Sequence, residues 1–195
     1  MTRTLEEIYT ELKDDTLYKQ AIKKRIAKII LGASVIRAFK KETKTGLLDC
    51  LIKIDVDSLI PIQTATEYDK WHSRKITAVY NCLLKNNIGK FKDHLEGLKW
   101  GHATKVFNLY IGHLYFYSPY FQETKRKSKV NQFLHVPLDS KVFEALRQSD
   151  IEVPKSIKTI NVALYRNIQQ SLRLAAYKNG VDPLRFDDYA WAEVD

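Results

Sequence analysis

The sequence predicts an all-α protein. Along most of the chain the apolar residues recur at steps of three and four rather than alternating. Helix-start patterns stand ahead of those stripes. Seven glycines and five prolines are few for 195 residues, which suits helices joined by short connections. A hydrophobic content of 45% is enough for one packed core. The length fits a single domain over 1–195, with possible sub-lobes at 1–90 and 91–195.

Taken in order, Thr4-Leu5-Glu6-Glu7 is a capping-box pattern that opens a first helix. Asp15-Thr16 starts a longer one with Leu17, Ala21, Ile22, Ile26, Ile29 and Ile30 on one stripe, and Gly32 can end it. A short helix is predicted over 33–40 and a Thr/Lys/Gly turn over 43–46. Residues 47–60 read as helix and then an extended piece near Pro61, although Ile52-Lys53-Ile54-Asp55-Val56 also alternates like a strand. Thr66 is the predicted cap of a helix reaching about Lys85, with Tyr68, Trp71, Ile76, Val79, Tyr80, Leu83 and Leu84 inward. A short helix over 91–98 and a turn at Lys99-Trp100-Gly101 come next. They precede an amphipathic helix bearing Ala103, Val106, Phe107, Tyr110, Ile111 and Leu114. A helix opened by Asp139 runs to about Gln148. The last long helix is predicted from near Pro154 to Lys178, closed by Asn179-Gly180. Asp182-Pro183 then turns the chain into 186–191.

Composition narrows the function classes. Two cysteines without Cys/His spacing, and five histidines that share no face, predict no metal site and no cofactor. No apolar run approaches a membrane span, and the N-terminus has no apolar signal-peptide core. A cytoplasmic protein is therefore expected, nucleoid-associated if bacterial. No Walker lysine loop, G-x-S-x-G elbow or H-E-x-x-H is present. The net charge of +9 is clustered. Residues 16–44 carry nine Lys/Arg against Glu42, and 85–129 carry nine more against Asp93, Glu96 and Glu123. Such clusters attract phosphate backbones.

Two segments carry chemistry. The first is Leu95-Glu96-Gly97-Leu98-Lys99-Trp100-Gly101-His102-Ala103-Thr104-Lys105, a glycine turn leading into a helix. The second is His135-Val136-Pro137-Leu138-Asp139-Ser140, which sets a carboxylate at a helix mouth. Together, residues 95–147 resemble the core of helix-hairpin-helix (HhH-GPD) DNA glycosylases, in a compact branch of the 8-oxoguanine-glycosylase type of fold. The resemblance implies a helix-hairpin-helix bundle with two lobes around a cleft. It implies a partner, double-stranded DNA with modified or damaged bases (those of phage DNA among them), and a chemistry, hydrolysis of an N-glycosidic bond. Asp139 is then the essential carboxylate, beside the sugar whose positive charge grows as the bond lengthens. Gly97 and Gly101 present backbone N–H groups to phosphate. This hairpin is two residues longer than the family pattern, so Ala103 falls where lyase-active members keep a lysine. A monofunctional enzyme using water follows.

The remaining candidates each have a plainer alternative. Asp139 is also an ordinary N-cap. His102 and Lys105 are expected at DNA phosphates or as solvated residues. Lys125, Arg126, Lys127 and Lys129 are expected to grip the backbone from a loop. Trp100 is a wedge or a packing residue, Tyr117 a base-stacking or core aromatic, and Tyr189 and Trp191 line a base pocket or dock a tail. A non-catalytic DNA-binding module on the same scaffold, or a helical protein-interaction adaptor, are the alternative classes.

Overall fold

A computed structural model describes residues 4–32, 41–85, 100–122, 129–149 and 151–193. The helices expected over 33–40 and 91–98 lie outside them, as do Gly97, Lys125, Arg126 and Lys127. Among the described residues there are eight α-helices, a few 3-10 turns and no strand. They are α1 (Leu5–Leu12), α2 (Asp15–Gly32), α3 (Lys41–Ile52), α4 (Ala65–Lys85), α5 (Trp100–Phe116), α6 (Ser140–Arg147), α7 (Val162–Lys178) and α8 (Arg185–Glu193). No helix among the described residues is long and apolar enough to cross a membrane.

The helix starts follow local chemistry. Thr4 and Glu7 form the expected capping box, with the Thr4 N–H donating to Glu7 Oε2 at 2.7 Å. The cap of α4 is Thr64 rather than Thr66. Its Oγ1 accepts the Glu67 N–H, and Glu67 Oε2 accepts the N–H groups of Gln63 and Thr64 at 2.9 and 3.1 Å. The last long helix starts at Val162, well beyond Pro154, because Asn161 Oδ1 takes the Leu164 N–H at 2.8 Å. Residues 151–160 instead run extended into a 3-10 turn at Ile157–Thr159. Asn179-Gly180 ends α7 as expected: Gly180 has φ +66°, and the Val181 N–H reaches back to the Ala176 carbonyl at 3.0 Å.

Packing overrode local preference elsewhere. The turn expected over 43–46 is part of α3, where Leu47 and Leu51 bury against the neighbouring helices and the Cys82 thiol of α4 donates to the Gly46 carbonyl. On α2 the buried residues are Ile22, Ile26, Ala27, Ile30 and Leu31, while Leu17 and Ile29 are exposed. Ile29 sits about 100° round the helix from Ile30, off the buried face. Leu84 is exposed too.

The buried residues form two clusters. One gathers α2 to α5 and extends to Leu134; the other joins Val136 and Leu138 to α6, α7 and Ala190 of α8. They meet at the extended segment around residue 135, and Trp100 packs on both. At the centre stands α5. Thirteen of its seventeen residues are buried, which marks a helix covered on every side. Gly101 lies inside its first turn, and the residues that would form a hairpin before it lie outside the described ones. A Cβ there would run into the Ile157 carbonyl oxygen and come within 2.8 Å of Ile160 Cγ2. This glycine exists to let the 157–160 segment close on α5.

Candidate active site

The central helix carries a charge in its buried surface. Lys105 is 9% exposed, and its Nζ donates to Asp139 Oδ2 at 2.9 Å; Asp139 is 5% exposed. The second carboxylate oxygen, Oδ1, accepts the Val142 N–H at 3.0 Å and so caps α6. One aspartate thus starts a helix and holds an ammonium group. The resemblance sets Asp139 beside a bound sugar and the Gly101 N–H at phosphate; the structure instead buries both ionic partners and packs Gly101 against Ile157 and Ile160. Lys105 is likewise no solvent-facing phosphate contact.

What holds Asp139 in place is a polar clamp on the extended segment before it. Gln169 of α7 brackets Val136, accepting its N–H at 2.9 Å and donating to its carbonyl at 2.8 Å. Asn108 Nδ2 donates to the same carbonyl at 3.2 Å and to the Tyr165 hydroxyl at 2.8 Å. With both Nδ2 hydrogens spent, Asn108 Oδ1 must accept, so His72 donates from Nε2 across 2.8 Å. The Tyr165 hydroxyl then gives its hydrogen to His135 Nδ1 at 2.9 Å, and His135 Nε2 donates to Asp69 Oδ1 at 2.9 Å. Arg173 closes the chain, donating from Nη2 to both oxygens of Asp69.

The ionisation states agree with that bonding. Burial pushes His135 down to about 4, against the opposing pull of Asp69, and holds His72 well below the ordinary histidine range. Both rings are neutral at pH 7, as the tautomers above require. Asp69 is raised by burial, but bonds from His135 and Arg173 outweigh this and bring it to about 2.

A pocket of about 410 Å³ lies one turn of α5 beyond Lys105, and neither Lys105 nor Asp139 is among the residues lining it. Its lining includes Asn108, Leu109 and Gly112 of α5, with Pro137, Tyr117 and Asp187. Lys105, Asn108, Leu109 and Gly112 follow an i, i+3, i+4, i+7 pattern, so Lys105 continues the pocket's helical face by one turn. Asp187 of α8 stands in the same wall. Burial and the Asp139 and Asp188 carboxylates push it up to about 7, with Lys105 pulling the other way. Its Oδ1 is buried without a protein partner. The cluster therefore combines an amine, a carboxylate and a carboxyl group that takes up or releases a proton near neutrality.

The other sequence candidates divide. Tyr117 is exposed at the pocket, its hydroxyl donating to Asp188 Oδ1 at 3.3 Å. Trp100 packs edge-on to Tyr165 with centroids 5.0 Å apart and is partly buried, as its packing alternative has it. His102 is buried rather than on a surface turn, while Lys129 is exposed. Tyr189 and Trp191 are exposed on α8 and do not line this pocket. Sequence reasoning passed over Asn108, Tyr165, Gln169, Arg173 and Asp69. Asn108 alone left a usable signal, a polar residue one turn past Lys105 on an otherwise apolar face.

Searches against protein-family models, curated proteins and solved structures each find no match for this chain.

Proposed function

We propose that this protein is a DNA glycosylase that flips a modified or damaged base out of the duplex and breaks its N-glycosidic bond. Its helices would then form a helix-hairpin-helix-like bundle of two lobes, with the base entering the pocket between α5 and α8. The observation that carries the reading is the Lys105–Asp139 contact, an amine and a carboxylate held together one helical turn from the Asn108 wall of that pocket. Asp139 is the essential carboxylate, as the sequence reading has it, and the Lys105 amine takes the place of the water that the sequence reading made the nucleophile.

In this mechanism a proton passes from Lys105 Nζ to Asp139 Oδ2 and frees the amine lone pair. Nζ attacks the sugar C1′ as the bond to the base breaks, and the bonding electrons leave with the base. Protonated Asp187 gives the departing base its hydrogen. The proton lost from Nζ passes to O4′ as the C1′–O4′ bond breaks and the sugar ring opens, leaving a protonated imine between Lys105 and C1′, which water hydrolyses to the aldehyde and the free ammonium form of Lys105.

The test uses duplexes that each carry one modified or damaged base, plus a duplex with a single abasic site. Wild type releases free base from at least one duplex. Asp139→Asn, which keeps a good helix cap, lowers the rate by about 10²-fold or more. Borohydride traps a covalent adduct on the abasic duplex, and peptide mapping assigns it to Lys105. Base release that survives Asp139→Asn, or an adduct mapped elsewhere, removes these roles. The near-complete burial of both partners favours one other reading, a non-catalytic DNA-binding module with the ion pair as a structural staple. Salt-sensitive binding without base release from any duplex selects it.

A further inference from the structure

We infer that the groove between α4 and α7 is a binding site for a DNA phosphodiester backbone. Two cavities run along it. One, of about 800 Å³, is lined by Arg166 and Arg173 of α7 together with Thr66 and Asp69 of α4. The other, of about 540 Å³, is lined by Lys70, Ser73 and Arg74 of α4 facing Arg166. Thr66, Asp69 and Arg166 belong to both walls, so the two cavities are one continuous groove.

The charges in this groove are asymmetric. Among the described residues, Lys70, Arg74 and Arg166 have no ion-pair partner; Arg166 only approaches the Ser73 hydroxyl at 3.5 Å. The two carboxylates in the groove are already engaged. Asp69 is bonded by Arg173 and His135, and Asp182 accepts from Asn131 Nδ2 at 2.7 Å. Arg173 spends Nη2 on Asp69, while its Nη1 has no acceptor in the protein. Exposed cations are therefore strung along two facing helices, with the Thr66 and Ser73 hydroxyls between them. A row of this kind suits a repeating anion better than one small ion.

The groove also lies beside the candidate active site. Asp182 contributes to the walls of both the 800 Å³ cavity and the 410 Å³ pocket. A strand following the arginines would arrive next to that pocket. This inference rests on DNA as the partner, but not on base excision, and it moves the grip from the 95–105 and 125–129 segments to the α4–α7 face.

The experiment measures binding of a fluorescently labelled, unmodified duplex by anisotropy across a salt series. Arg74→Glu/Arg166→Glu is compared with Lys24→Glu/Lys28→Glu, an equal charge change at exposed positions of α2. The groove variant is expected to weaken affinity at least ~10-fold more than the α2 variant, and to flatten the slope of log K against log salt by about two phosphate contacts' worth. Circular dichroism checks folding, with Arg74→Gln/Arg166→Gln in reserve if the glutamates unfold the chain. Equal weakening by the two pairs, or no weakening by the groove pair, overturns the assignment. So does competition by inorganic phosphate beyond its ionic-strength effect, which marks a small-anion site. Base release is scored separately: its absence removes the enzyme reading and leaves this one standing, whereas loss of the groove effect with base release intact does the reverse.

Discussion

Replacing Lys105 by methionine leaves the Asp139 carboxylate buried with only the Val142 N–H for company. Breaking a buried ion pair from one side costs about 3–5 kcal/mol, because the remaining charge has lost its compensation. Lys105→Met is therefore expected to lower the urea midpoint sharply. Adding Asp139→Ser, which removes the charge and keeps a capping hydroxyl, should recover most of the loss. A double variant no more stable than Lys105→Met alone would show that the two charges do not depend on each other. The helix-capping half of this site was legible in the sequence, because an aspartate ahead of an apolar helix acts on its own neighbours. The ionic half was not. It joins residues 34 apart, and nothing local in Thr104-Lys105-Val106 distinguishes a buried lysine from a solvated one. The family pattern had pointed to Ala103, which is fully buried in the core.

At the scale of elements, the extended segment before α6 depends on α7 through a single side chain. Gln169 satisfies both the N–H and the carbonyl of Val136. Gln169→Leu leaves the N–H buried and unbonded, at about 1–3 kcal/mol. Asn108 still serves the carbonyl. The expected result is a matching drop in unfolding free energy with unchanged helix content by circular dichroism. Helix existence along this chain was readable from periodicity, and α1, α2, α4, α5 and α6 arose where the apolar steps put them. Two boundaries were not. Pro154 suggests a helix start, but the Asn161 cap forms a better one seven residues later, and the 151–160 stretch packs on α5 instead. Likewise Gly46 suggests a turn until α4 supplies the thiol that approaches its carbonyl.

For the molecule as a whole, the neutral histidines couple stability to pH. His135 falls from about 6.5 in an unfolded chain to about 4 in the fold. Between those values the unfolded chain binds a proton that the folded one refuses, so the histidine's contribution to stability is full above about pH 6.5 and declines as pH falls toward 4. The linked loss is about 3 kcal/mol. Asp69, depressed to about 2, extends the decline below pH 4 as its carboxylate is protonated. Asp187, raised to about 7, works the opposite way over the histidine's range, because there the folded chain holds the extra proton. The histidine's share is therefore read as a difference: between about pH 6.5 and 4.5 the wild type should lose more, or gain less, in melting temperature than His135→Gln does. Parallel profiles for wild type and His135→Gln would mean that His135 is not held neutral. The all-helical class was legible at this scale from composition and period. The buried hydrogen-bonded chain from Asp69 to Asn108 was not, because it spans three helices and a linker whose relative placement no local pattern encodes.

The wrapping of α5 on every side has a consequence for how its lysine is delivered. A peripheral helix can detach and re-dock in small excursions, but this one is released only when both groups of packed side chains come apart together. Its backbone amides should belong to the slowest-exchanging set with solvent deuterium, sharing the free energy of complete unfolding. The amine it bears is accordingly present at its post in every native molecule, rather than being recruited by a loop that folds over the guest.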